Sequence, residues 1–127
     1  MNAIVLDTSA VLAIVFDEPG AAAVDAVLDD AVVCSVNQVE IVSKLVDRGL
    51  DEPAIQGRLA YLNYSVRGFD AELGFRAGLL RSTTRRQGLS LGDRACIALA
   101  QREGLPIMTA DRAWGSLDLG VPIQVIR

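Results

Sequence analysis

Short uninterrupted apolar runs, each followed by a polar or capping residue and an amphipathic stretch, divide this chain into strand–helix units. Ala3–Leu6 reads as a strand buried on both faces, and Asp7-Thr8-Ser9 separates it from an apolar helical run over Ala10–Phe16. Glu18-Pro19-Gly20 breaks that helix, and Ala21–Leu28 predicts a second. Ala31–Cys34 is the next buried strand. Ser35, with Gln38 three residues on, predicts a capping box for a helix running to about Arg48. In that helix Val39, Val42, Leu45 and Val46 are expected to face inward, with Glu40, Ser43 and Asp47 on the polar side. Asp51 and Pro53 open a helix carrying Ile55, Leu59 and Leu62 on one face.

Tyr64–Arg67 is a weaker strand. A long helix follows from Phe69-Asp70 to about Arg86, with Leu73, Ala77 and Leu80 as its apolar stripe. Ser90 to Asp93 form a second capped start leading to Glu103. Pro106–Thr109 is a strand, Ala110 to about Leu117 a short helix, and Pro122–Ile126 a final strand. Apolar strands alternating with helices predict an α/β fold. One domain over residues 1–127 is expected, three layers of α/β/α with a mainly parallel central sheet of four to five strands.

Composition narrows the chemistry. The chain contains no histidine, which removes Ser-His-Asp catalysis, histidine-type zinc sites and most proton shuttles. Any metal site must use oxygen ligands, which suits Mg²⁺ or Mn²⁺. The eleven glycines are scattered at turns and form no phosphate loop. Cys34 and Cys96 sit in apolar surroundings and read as small core residues. No apolar run approaches a membrane span and no basic flank marks a leader, so a cytoplasmic location is the expectation. The net charge of −4 argues at first against a nucleic-acid partner. Four acids gathered at one site would leave the remainder neutral, however, and eleven of the twelve basic residues are arginine, the better phosphate binder.

The carboxylates are the candidate chemistry. Asp7 and Asp111 each stand just behind a predicted strand, where open α/β sheets place their ligands. A helix-capping role explains each of them equally well. Asp93 opens a helix that is apolar on nearly every side, and an unpaired carboxylate there is costly unless a cation meets it. By pattern alone Glu40 is a solvated surface residue.

The segments "VLDTSA", "SVNQVEIVSKL", "LSLGDRACIALA" and "PIMTADRAW", in that order, resemble a PIN domain, specifically the VapC-type toxin ribonucleases of bacterial toxin–antitoxin pairs. The resemblance covers essentially the whole chain. It implies that Asp7, Glu40, Asp93 and Asp111 are both catalytic and metal-binding, with Ser9 and Thr109 as supporting hydroxyls. It also implies a Mg²⁺- or Mn²⁺-dependent hydrolysis of RNA leaving a 5′-phosphate, homodimer formation, and silencing by a cognate antitoxin protein. Ile55, Leu59 and Leu62 are then an example of apolar surface open to a partner.

Arg85, Arg86 and Arg112 are candidate RNA contacts, while Arg81 suits a helix C-terminus. Tyr61 and Tyr64 offer rings for base stacking, though core packing is the more usual role. Asp118 reads as a surface residue at a helix end rather than a fifth site acid. Two other readings stand beside this one. A catalytically silent PIN-like binding module would use the acids for structure or recognition. A haloacid-dehalogenase-type phosphatase fits poorly, because Ser9 stands where that pattern wants a second aspartate and Lys44 is the only lysine.

Overall fold

The computed structural model describes residues 2–127. Five short strands form a wholly parallel sheet: β1 (Ile4–Leu6), β2 (Ala31–Cys34), β3 (Ser65–Arg67), β4 (Ile107–Thr109) and β5 (Ile123–Val125), in the spatial order β3-β2-β1-β4-β5. β1 is central. Val5 pairs with Val32 on one side and with Ile107 on the other, so the first strand is hydrogen-bonded to segments far along the chain. β1, β2 and β4 are buried throughout, as their unbroken apolar runs require.

Alternation along the strands divides the core in two. Ile4, Leu6, Val33 and Met108 face one side with residues of α1 (Thr8–Val15), α2 (Ala21–Asp25), α3 (Ser35–Asp47) and α4 (Glu52–Leu62). Val5, Val32, Cys34 and Ile107 face the other with α5 (Ala71–Thr84), α6 (Leu91–Glu103) and Trp114. This is the expected three-layer α/β/α sandwich. Both cysteines are free and buried, in agreement with a packing role. No helix among the described residues is long and apolar enough to cross a membrane.

Several local expectations are corrected. α1 begins at Thr8, directly behind Asp7, and Ser9 lies inside it. α2 is shorter than expected and is followed by a 3₁₀ turn over Leu28–Asp30. The Ser35–Gln38 capping box is not formed. β2 runs into α3 without a loop, Ser35 Oγ accepts the Phe69 N–H instead (2.9 Å), and Gln38 accepts from the Tyr64 hydroxyl. The buried stripe of α3 is Asn37, Ile41 and Leu45, whereas Val39 and Val46 are exposed, because the helix is rotated to bring a polar asparagine inward. Ile55 and Leu62 are only 7% and 5% exposed and belong to this chain's own core, so that face of α4 is not open to a partner. The segment after β4 is a 3₁₀ helix over Arg112–Ser116 rather than an α-helix.

Candidate active site

The carboxyl ends of the parallel strands and the starts of the following helices are where backbone geometry concentrates polar groups. Here they open onto a cleft of about 450 Å³, whose walls include Asp7, Glu40, Asp93 and Asp111. The four acids predicted from the sequence are thus brought to one place. Asp7 follows β1, Glu40 lies on α3 beyond β2, Asp93 is in the first turn of α6, and Asp111 follows β4.

Asp7 is the most buried of them, at 4% exposure. Its Oδ2 accepts hydrogen bonds from Ser9 Oγ (2.7 Å) and Thr109 Oγ1 (3.0 Å), whose oxygens lie 3.2 Å apart. The same hydroxyl oxygens accept backbone N–H groups from the segment after β4: Ala110 N to Ser9 (2.9 Å) and Asp111 N to Thr109 (3.1 Å). Ser9 and Thr109 therefore splice the ends of β1 and β4 and fix Asp7 between them. Burial pushes the Asp7 carboxyl up to about 6, and the nearby Asp93 charge adds to the rise against the lowering effect of the two hydroxyls.

Glu40 is held by residues that sequence reasoning passed over. Its Oε1 accepts from Thr8 Oγ1 (2.5 Å) and from Asn37 Nδ2 (3.2 Å). The fully buried Asn37 also donates to Thr8 Oγ1 (3.0 Å) and to the Gly92 carbonyl (3.1 Å). The Glu40 carboxylate lies directly over Gly92: a Cβ there would be 2.5 Å from Oε1 and 2.6 Å from Cδ. Only glycine admits Glu40 beside the α6 start. The available signals were an asparagine one helical turn before a glutamate and a glycine just before an aspartate, too common to stand out without the tertiary contact.

Asp93 does two things. It closes a capping box, with Ser90 N donating to Asp93 Oδ2 (2.9 Å) and Asp93 N donating to Ser90 Oγ (3.1 Å). Its carboxyl is nevertheless raised, first by burial and then by the charges of Glu40 and Asp111, which outweigh the bonds to Ser90. Asp111 is exposed and caps the 3₁₀ helix, Oδ1 accepting Ala113 N at 3.0 Å. A capping role and a place along the cleft, alternatives by sequence, coexist at both residues.

This donor set fits a hard divalent cation. Each acid commits one oxygen to the hydrogen bonds above, and a carboxylate has further acceptor capacity. Asp7 and Asp93 are both held under mutual repulsion that a cation would relieve. Among the described residues no three acids stand close enough together to hold a metal ion between them without rearrangement. An open arrangement suits Mg²⁺, which retains several waters and takes only one or two carboxylates besides substrate oxygens. Arg85, Arg86 and Arg112 do not line the cleft. Arg85 borders a small separate hollow with Arg81, and Arg112 donates to the Arg127 carbonyl (3.0 Å). Tyr61 and Asp118 are exposed away from it, and Tyr64 is half-buried beneath Gln38.

A parallel three-layer α/β domain with carboxylates from four segments along one cleft is the class that fold and site define. The chain belongs to the PIN domain family, which it matches over residues 4–118. Its fold is similar to that of a chain in the VapBC2 complex of Rickettsia felis bound to a promoter DNA fragment. That match has a TM-score of 0.74 and 16% identity, and covers 98% of this chain and 99% of the other. A toxin–antitoxin complex from Klebsiella pneumoniae gives 0.76 and 14%, with 98% of each chain covered. VapBC-5 of Mycobacterium tuberculosis gives 0.64 and 23%, with 100% and 99% covered. No curated protein sequence matches the chain.

Proposed function

We propose that this chain is the toxin of a toxin–antitoxin pair, a VapC-type endoribonuclease. On this reading it hydrolyses RNA phosphodiester bonds with Mg²⁺ or Mn²⁺ held by Asp7, Glu40, Asp93 and Asp111. It works in the cytoplasm as a homodimer and is silenced by a cognate antitoxin. The observation that carries the reading is the convergence of four acids, distant in sequence, on one cleft of a PIN domain. The antitoxin is supported by the toxin–antitoxin complexes in which the similar folds occur.

A divalent ion bound there supplies water activation and charge neutralisation at the phosphate. The protein's part is positioning. Ser9 and Thr109 fix Asp7, Thr8 and Asn37 fix Glu40, and the α6 capping box fixes Asp93. No side-chain nucleophile is required, in keeping with a histidine-free chain.

The open spacing of the acids gives some support to the silent binding module. Incubation of purified protein with RNA, in Mg²⁺, in Mn²⁺ and in chelator, separates the two. Metal-dependent cleavage that Asp7→Asn abolishes is expected. Cleavage that Asp7→Asn leaves near normal, or no cleavage in any metal, overturns the nuclease.

A further inference from the structure

An acidic cleft repels the substrate it is to cut, so a nuclease built this way needs cations beside it to hold the flanking phosphates. The arginines that sequence reasoning favoured are elsewhere. Past Ser9 and Leu12 the cleft continues into a second hollow of about 260 Å³, and Lys44 lines both. Arg48, the C-cap of α3 one turn beyond Lys44, lines the second hollow with Phe16, Glu18 and Arg127. Residues four apart on a helix lie on the same side, so the two cations form one row leading away from the acids.

Both cations are poised rather than neutralised. Among the described residues neither Lys44 nor Arg48 has a carboxylate within ion-pairing distance, whereas Arg127 is paired with Glu18 at 3.4 Å. The Arg48 guanidinium is instead stacked over the Phe16 ring, 3.9 Å from its centroid. Stacking orients the guanidinium and leaves its N–H groups for a ligand. The C-terminal end of α3 also favours cations through its dipole. The dipole, however, does not explain the aromatic seat of Arg48 or the continuity of the hollow with the acids.

We propose that Lys44 and Arg48 bind successive backbone phosphates of a single-stranded RNA as it leaves the acidic cleft. This rests on the reading of the cleft as an RNA-cleaving site. The probe is a fluorescent pool of random-sequence 12-nucleotide RNA, with anisotropy read in chelator across a range of KCl concentrations. Lys44→Gln/Arg48→Gln is expected to weaken binding about tenfold at low salt. Each lost phosphate contact on a single strand lowers the slope of log affinity against log salt by about 0.7, so the pair lowers it by about 1.4.

Arg76→Gln/Arg81→Gln removes the same charge from α5, on the opposite face of the sheet, and is expected to leave the slope unchanged. Lys44→Arg, which keeps the charge, is expected to bind like the wild type. Equal losses from both double variants, or an unchanged slope in the first, overturn the proposal. So does loss of antitoxin affinity with RNA binding intact, which makes the hollow a protein-docking site. Wild type that binds with this slope but never cleaves overturns the nuclease reading and supports the phosphate row.

Discussion

Asn37 donates one amide group to Glu40 Oε1 and to the Gly92 carbonyl, so a residue of α3 is tied to the first turn of α6 through the site itself. Asn37→Ala removes the side-chain tie from α3 to the Gly92 carbonyl and leaves Glu40 with the Thr8 hydroxyl as its remaining side-chain donor. A stability loss of about 1–3 kcal/mol is expected. Cleavage should fall further than stability does, as Glu40 loses its position. Asn37→Asp, which sets a second negative charge against Glu40, should melt lower still in chelator. Thermal melts and cleavage rates on the same preparations check both.

Gly92→Ala separates fold from site differently. In a helix this change normally gains up to ~1 kcal/mol. The atoms nearest the new Cβ are the carboxylate end of Glu40, which can swing away if it gives up its bonds to Thr8 and Asn37. The expected outcome is a melting temperature near or above wild type together with strongly reduced cleavage. A variant that melts well below wild type would mean that the close approach is structural, not functional.

The raised Asp7 carboxyl makes the metal-free protein sensitive to pH. With a folded value near 6 against about 4 unfolded, the native state holds more protons than the unfolded chain between those values. The stabilisation is therefore complete below about pH 4 and is lost as pH rises through about 6. A shift of this size corresponds to roughly 3 kcal/mol, and Asp93 acts in the same direction. Denaturant unfolding in chelator should show lower stability at pH 7 than at pH 5, and Asp7→Asn should flatten the difference. Mg²⁺ at a hundredfold excess over its dissociation constant should restore about 2.7 kcal/mol at pH 7.

Asp93 allows its two roles to be told apart. Asp93→Asn keeps an oxygen to accept the Ser90 N–H but removes the charge. It should melt higher than wild type in chelator while losing cleavage. Asp93→Ala keeps the Ser90 cap but also removes the returning bond from Ser90 N–H, and should be less stable than Asp93→Asn by about 0.5–1.5 kcal/mol. If the asparagine variant melts lower than wild type in chelator, the repulsion assigned to Asp93 is absent.

The layering was legible because β1, β2 and β4 are buried on both faces and therefore read as unbroken apolar runs. Asp7 and Asp111 were visible as acids directly behind strands. Glu40 was not, because its neighbours Thr8, Asn37 and Gly92 come together only when α1, α3 and α6 pack. The α3 stripe misled for a related reason. Hydrophobicity favoured Val39 and Val46, but the inward face is chosen by Asn37, two of whose three hydrogen-bond partners, Thr8 and Gly92, lie in other helices. Lys44 and Arg48 were overlooked because a hollow between α1 and α3 leaves no trace in local charge pattern.

The splice between Ser9 and Thr109 spans a sequence separation of 100 residues. β1 leaves the ribosome well before its partner β4 and the hydroxyl that completes the Asp7 environment. At roughly 5–20 residues per second, several seconds separate the two. A nascent chain that has not yet made β4 therefore carries no assembled cleft, and whatever this site does waits for a strand made long after the one it completes.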